Sequence, residues 1–299
     1  ERITRRFTFA LGNTIGPEFD IPAPAVNTNA QIMAWILDTY LASIPSHERA
    51  RNLHVVTGKP LASGGSVGRE KATGQGVVYC IEQWAADRKF NLKQATYFVQ
   101  GFGNVGSWTA KLLQPHGSTL LAVEDHTGAI ANPSGIGPDD LTSYVKEKGG
   151  VAGYAKAQPI DHKTFLSTRA DIFVPAAMES QLTAETTPWL NVKLVAEGAN
   201  GPTDLDGDAL LVQRGIDLIP DILCNSGGVI ASYFEWLQNK RSEFWELEEV
   251  DSKLYKKMIA SYDRVRKAVK EYRCDWRTAA YIVALSALEK VYKERGIFP

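Results

Sequence analysis

"TYFVQGFGNVGSWTAKLL", residues 96–113, is the stretch from which the fold can be read. Its opening run, "TYFVQ", is apolar at adjacent as well as alternating positions, the pattern of a strand buried on both faces of a parallel sheet. Gly101, Gly103 and Gly106 follow at G-x-G-x-x-G spacing, enclosing Asn104 and Val105, and an apolar-periodic helix opens directly behind them. In that context the first glycine permits a tight turn, the second lets the backbone approach a pyrophosphate, and the third lets helix and strand pack closely. The helix amino end adds free N–H groups and a positive dipole end, so an anion can be bound without a lysine. Glu124 and Asp125 then end the next strand-like run, near the interval of about 20 residues at which an acid accepts from the adenosine ribose hydroxyls, which favours NAD over NADP. A glycine turn that merely packs would not need strand, glycines, helix and acid in this order.

The same apolar signature recurs in "TLLAVED", "ADIFVPAA", "KLVAEGA" and "IDLIPDIL", each separated from the next by helical patterns, and together they predict an open α/β sheet. Upstream, Ile3, Phe7, Leu11 and Ile15 recur at near-helical spacing, and Asn27 or Thr28 is placed to cap a second helix through Met33, Trp35, Ile36 and Leu37. Between these helices lies the stiff turn "FDIPAPAVNTN", residues 19–29, with Ala25 at its apex. The glycine-rich "LASGGSVGREKATGQG" leads into another helix, where glycines signal close backbone approach. Downstream, "SGGVIASYFEWLQ", the charged stretch from Val250 to Arg273 and a last segment from Trp276 to about Arg295 read as helices. Tyr233, Phe234 and Trp236 read as core at helical spacing, and the charges from Glu248 to Lys270 as a solvated face.

A chain of 299 residues exceeds what one core usually organises, so two domains, or one and part of another, are expected. A net charge of -1 provides no basic excess to hold a phosphate backbone, which argues against nucleic acid as a partner. No apolar run approaches a membrane span. Cys80, Cys224 and Cys274 are odd in number and far apart, fitting reduced thiols of a cytoplasmic protein rather than a thiolate metal site. His47, His54, His116, His126 and His162 form no i, i+4 pair, and neither a nucleophile elbow nor a P-loop is present, so neither metal nor hydrolase chemistry is expected. The start "ERITRRF" has neither an apolar signal core nor an initiator Met, as expected of a chain that begins mid-protein.

From first residue to last, "VVTGKPLASGGSVGREKATGQGV", "QGFGNVG", "VPAAMESQLT", "VAEGANGPT", "PDILCNSGGVIASYFEW" and "RTAAYIVA" resemble, in order, the glutamate dehydrogenase family of Glu, Leu, Phe and Val dehydrogenases. The resemblance implies hydride transfer between NAD or NADP and glutamate, giving 2-oxoglutarate and ammonia, in a homo- or hetero-oligomer whose relatives are usually hexamers. It implies a Rossmann-like, doubly wound nucleotide-binding domain at residues 59–275. Residues 1–58 would then be the end of a second α/β substrate and assembly domain, most of it lacking, and residues 276–299 a helix returning to that domain. Carried over by motif, Thr73 would bond the nicotinamide carboxamide, and Asn225 would lie beside the nicotinamide ribose. Ala176 and Asn200 would border the adenosine half, with Asn104 and Val105 in the glycine turn. Arg69, Val229 and Ser232 would bind the substrate, the serine favouring glutamate over branched apolar amino acids.

Two departures stand out against the resemblance. In the family the "PAP" turn is followed by an aspartate that moves protons to and from the substrate amine and the attacking water, and here that position is Ala25. A methyl group cannot transfer a proton, and general acid–base catalysis is worth about 10² to 10⁴ in rate. Asp20 and Asp38, two neighbouring acids, do not fall at the apex. The family's glycine-rich segment with the substrate and catalytic lysines is also absent from these residues, and oxyanion stabilisation of that kind is worth about 3 to 4 kcal/mol. The expectations are therefore a truncated or engineered piece, a silent subunit regulating an active partner, or an enzyme using an unrecognised base.

Overall fold

A computed structural model describes residues 1–296. Along the chain the helices are α1 (Arg2–Leu11), α2 (Ala30–Ala42), α3 (Ala72–Arg88), α4 (Asn104–Leu113), α5 (Pro138–Lys148), α6 (His162–Leu166), α7 (Leu205–Gln213), α8 (Asp221–Cys224), α9 (Gly227–Arg241), α10 (Leu247–Tyr272) and α11 (Trp276–Arg295). The strands are β1 (Thr96–Gln100), β2 (Thr119–Asp125), β3 (Gly128–Ala131), β4 (Gln158–Ile160), β5 (Ile172–Pro175), β6 (Leu194–Ala196) and β7 (Asp217–Ile219). The chain divides into one compact unit of Glu1–Ala72 with Gly228–Tyr255, and another of Thr73–Gly227 with Lys256 onward.

The second unit contains the sheet, in the order β4-β3-β2-β1-β5-β6-β7. β1 pairs in parallel with β2 and β5, β5 with β6, and β6 with β7, while β3 and β4 run antiparallel at one edge. All five expected apolar runs contain strands. "IDLIPDIL" is a strand only through Ile219, because Pro220 ends the ladder and Asp221 opens α8. β3 and β4, of four and three residues, carry too little alternation to be read from sequence. The chain winds outward from β1 to β4 and returns to β5 on the other side of β1, which puts the topological switch point at the carboxyl ends of β1 and β5. Phe98 and Phe173 stack across the paired strands at 4.4 Å, with Phe165 edge-on to Phe98 at 5.2 Å. These rings lie in a core with Leu182, Leu190 and Val195 that pins the strand ends.

The first unit builds a smaller core from Ile15, Met33, Ile36, Leu37, Val55 and Val56. α2 is capped by Asn29, whose Oδ1 accepts from Ile32 N–H at 3.1 Å, one residue beyond Thr28 and two beyond Asn27. Both expected caps are used by the proline turn instead: Asn27 adopts φ 58°, and the Thr28 hydroxyl bonds back to Ala25. On α9, Phe234 is buried and tilts against Trp245 at 5.5 Å, whereas Tyr233 is half exposed and stacks on Trp236 at 6.0 Å. Only part of that aromatic cluster is core.

Candidate dinucleotide and carboxylate sites

In the sheet-bearing unit, the turn after β1 is shaped by its glycines. Gly101 adopts φ 85°, and an added Cβ there would lie 2.6 Å from the Ala176 carbonyl oxygen. A Cβ on Gly106 would collide with the Gly101 carbonyl oxygen, whereas at Gly103 it would meet nothing within 4 Å. The turn is thus closed where helix must meet strand and open where a pyrophosphate must approach. Asn104 is exposed and Val105 half-buried at the start of α4, whose amino end carries no side-chain cap, so no capping side chain satisfies its first N–H groups.

Hydrogen bonds lace this turn to the neighbouring loops. Gly101 N–H donates to the Glu124 carbonyl at 2.6 Å, and Ala176 N–H to the Gln100 carbonyl at 2.7 Å. Gly198 and Ala199 N–H both donate to the Pro175 carbonyl at 2.9 Å, and Asn225 Nδ2 donates to Asn200 Oδ1 at 2.7 Å. Gly101, Gly103, Gly106, Glu124, Ala176, Asn200 and Asn225 therefore belong to one connected rim. Thr73, half-buried in the first turn of α3, has no side-chain hydrogen bond to that rim.

The two acids at the end of β2 are held differently. Both Asp125 oxygens bind within the chain, one accepting from Thr127 N–H and hydroxyl at 2.8 and 2.5 Å, the other from Val151 N–H at 3.0 Å. Glu124, with a side chain 13% exposed, accepts from Gln100 Nε2 at 2.9 Å and from His162 Nδ1 at 2.8 and 3.0 Å. Glu124 is thus the acid held at the strand end.

Arg277, at the start of α11, supports the rim from behind, reaching Glu197 at 2.8 Å, Asp208 at 3.1 Å and Asp221 at 3.3 Å. Glu197 accepts from Asp221 N–H at 2.7 Å, and Asp221 accepts from Gly201 N–H at 2.7 Å, so one guanidinium ties the Asn200 loop to the approach to Asn225. Burial pushes the Glu197 carboxyl up against the pull of Arg277. Burial also opposes charge on Arg277, but Glu197 and Asp208 more than offset it and hold the guanidinium above its ordinary value. Sequence reading reached "RTAAYIVA" as a motif but missed this role, which depends on three carboxylates far away in the chain.

The other unit holds the expected substrate residues. Arg69 Nε donates to Ser232 Oγ at 2.9 Å, and Ser232 is 7% exposed. Among the described residues no carboxylate lies within ion-pair distance of Arg69, and burial lowers its pKa against the more distant field of Glu235. Val229 lies one turn earlier on α9 and is exposed.

One turn beyond Ser232, the Glu235 carboxylate is 1% exposed and accepts from Gly58 N–H at 2.9 Å, Lys59 N–H at 3.3 Å and Lys59 Nζ at 2.6 Å. Lys59 Nζ also donates to the Val56 carbonyl at 2.6 Å, and burial depresses its pKa. The segment so held in turn holds the proline turn: Thr57 N–H donates to the Pro22 carbonyl at 3.0 Å, and a Cβ on Gly58 would lie 2.5 Å from the Pro24 ring. Glu235 was missed at the sequence level, where a glutamate between aromatics gives no sign of a partner 176 residues away.

Ala25 itself is exposed, its N–H donating to Thr28 Oγ1 at 2.6 Å and its carbonyl accepting from Thr28 N–H at 3.2 Å. Asp38 is engaged by Arg5 at 2.5 Å. Asp20 lies in a backbone bridge with Gly16. Neither occupies the apex.

A glycine turn at the switch point of a parallel sheet, a helix amino end and an acid at the next strand define a nucleotide-binding α/β protein. The Glutamate/Leucine/Phenylalanine/Valine dehydrogenase profile matches residues 64–296, and the Glu/Leu/Phe/Val dehydrogenase dimerisation domain matches residues 1–42. The chain belongs to this family of NAD(P)-dependent amino-acid dehydrogenases. It is 46% identical to the glutamate dehydrogenase of Thermotoga maritima, over the whole of this chain and 71% of that protein. It is 39% identical to the cryptic catabolic NAD-specific glutamate dehydrogenase GudB of Bacillus subtilis, over 99% of this chain and 68% of that protein. Among solved structures, the hetero-hexameric glutamate dehydrogenase of Thermus thermophilus in its Leu-bound form superposes with a TM-score of 0.93 at 32% identity, covering all of this chain and 70% of that one. The glutamate dehydrogenase of Peptoniphilus asaccharolyticus gives 0.82 at 35% identity, over 99% and 70%.

Proposed function

We propose that the chain is a glutamate dehydrogenase-type subunit that keeps its cofactor-holding residues and the Arg69–Ser232 part of its substrate site, with neither the family's proton-transfer aspartate nor its lysine segment among its residues. The observation that carries this reading is the pairing of a preserved turn with a lost side chain: Pro22 and Pro24 are held by the Glu235-anchored segment, yet Ala25 stands at the apex. The nicotinamide cofactor, when bound, supplies the hydride acceptor or donor. Gly103 leaves room for its pyrophosphate, the α4 amino end meets the charge, and Glu124 accepts from the adenosine ribose. Ala176 and Asn200 border the adenosine, while Thr73 and Asn225 orient the nicotinamide.

Arg69 is largely buried, bonded to Ser232 and, among the described residues, without a carboxylate counter-ion, so its terminal nitrogens are available to a carboxylate of glutamate or 2-oxoglutarate. Ser232 orients the guanidinium and offers its own hydroxyl, and Val229 adds an apolar contact. What these residues cannot do is accept or deliver the proton that accompanies exchange of amine for carbonyl. NADH oxidation with 2-oxoglutarate and ammonium tests this. The unmodified chain should turn over slowly or not at all, and Ala25→Asp should raise the rate by about 10² to 10⁴. Equal, measurable turnover by the two proteins would sink the reading, whereas no turnover by either would make the absent lysine segment the deeper lesion.

A second reading is favoured by the likeness to the Thermus hetero-hexamer together with Ala25. The chain would serve as a catalytically silent, NAD(P)- or amino-acid-binding subunit that regulates an active partner. In that case Ala25→Asp would leave the chain inactive alone, and its ligands would change the rate of the partner.

A further inference from the structure

Glu124 does not stand alone at the end of β2. His162 Nδ1 lies 2.8 and 3.0 Å from its two oxygens, bringing an imidazole to the carboxylate assigned to the adenosine ribose. We propose that His162 is a specificity-determining residue that admits the 2′-phosphate of NADP when protonated and leaves the site selective for NAD when neutral. This rests on the dinucleotide reading above.

The argument starts from the fixed nitrogen. A carboxylate can only accept, so Nδ1 facing Glu124 must carry the hydrogen, and the tautomer is set. In the neutral ring Nε2 is then an acceptor. It can take a hydrogen bond from a ribose hydroxyl, but its lone pair and the Glu124 charge both repel a phosphate. Protonation falls on Nε2, turning that acceptor into a charged donor and making the pair with Glu124 a neutral ion pair. Glu124 thus keeps its affinity for a 2′-hydroxyl in either state, whereas phosphate is tolerated only with the proton present.

Among the described residues, no other group facing this pair is placed to replace that proton. Among the described residues Glu124 forms an ion pair with no cation besides His162. On the same short helix, Lys163 lies over the Trp189 ring at 5.3 Å, and that ring meets His162 edge-on. The preceding Asp161 accepts from Thr164 N–H and hydroxyl. On the β2 side, Asp125 is occupied by Thr127 and Val151, and His126 is exposed in the turn. His162 is 46% exposed at its side chain, so solvent reaches the ring. Imidazole is the side chain that changes charge between about pH 5 and 8.

Calorimetric titration of the whole chain with NAD⁺ and with NADP⁺, from pH 5.5 to 8.5, tests the proposal in the unmodified protein, His162→Gln and His162→Lys. The 2′-phosphate titrates near pH 6 itself, and the glutamine variant reports that part alone. The preference for NAD⁺ should rise with pH about tenfold more in the unmodified chain than in His162→Gln, the scale of one charge-assisted hydrogen bond. NADP⁺ binding near pH 7 should take up a proton that the glutamine variant does not, and His162→Lys should retain NADP⁺ binding at pH 8.5. Equal pH dependence in the unmodified and glutamine proteins, or no gain with lysine, overturns the role of His162 while leaving dinucleotide binding standing. Failure of both cofactors to bind at any pH would overturn the dinucleotide reading, and this proposal with it.

Discussion

At the scale of single residues, Ala25 and Glu235 are two ends of one support. Glu235 neutralises Lys59 in a site where the lysine side chain is fully buried, and the backbone on either side of that lysine carries the proline turn. Removing one member of a buried pair leaves the other uncompensated, which typically costs about 3 to 5 kcal/mol. Glu235→Ala should therefore lower stability by about that amount in urea unfolding, and Glu235→Ala with Lys59→Met should recover a large part of it. A single-variant loss below about 1 kcal/mol would show that the pair does not hold the segment. The rigid turn around Ala25 was legible from sequence because its prolines act locally. Glu235, His162 and Arg277 were not, since each acts through partners brought close only by the fold, and no short-range pattern encodes them.

Among elements, the parallel strands were legible because strands buried on both faces leave near-continuous apolar runs. The edge pair β3 and β4 was not, being short and half exposed. Helix α11 shows how a local signal and a distant one share an element. Its cap, Asp275, accepts from Thr278 N–H and hydroxyl at 2.8 and 2.7 Å, and two residues later Arg277 reaches Glu197 beside the Asn200 loop. Burial tends to raise the Asp275 pKa, but the Thr278 bonds more than offset it, so the folded value lies below the unfolded one. The unfolded state therefore binds more protons through that window. The capping contribution is present above about pH 4 and is lost as pH falls through the folded value. Asp275→Ala should cost about 1 kcal/mol at pH 7 by urea midpoint, and the difference from the unmodified protein should shrink below about pH 4. Asp275→Asn should keep much of the cap and lose that acid step. A deficit independent of pH would assign the effect to the helix rather than to the carboxylate.

For the whole molecule, each compact unit carries the residues proposed for one task. One unit gathers the glycine turn, Glu124, Ala176, Asn200 and Asn225 into a rim braced by Arg277, and the other pairs Arg69 with Ser232 beside the Glu235 support. The order of motifs along the chain pointed to the family before any geometry. After Gly227, α9 returns the backbone to the residues of the first unit, a return that no local pattern marks. The central claim is that binding survives where proton transfer is lost. It is tested most directly by fluorescence titration of NADH into the unmodified chain and into Ala25→Asp, each with and without 2-oxoglutarate. The account predicts that both proteins bind NADH and 2-oxoglutarate with dissociation constants alike to within about threefold, less than about 1 kcal/mol, because residue 25 contributes to chemistry rather than affinity. Failure of the unmodified chain to bind either ligand, with binding restored by Ala25→Asp, would contradict it and make residue 25 a binding residue.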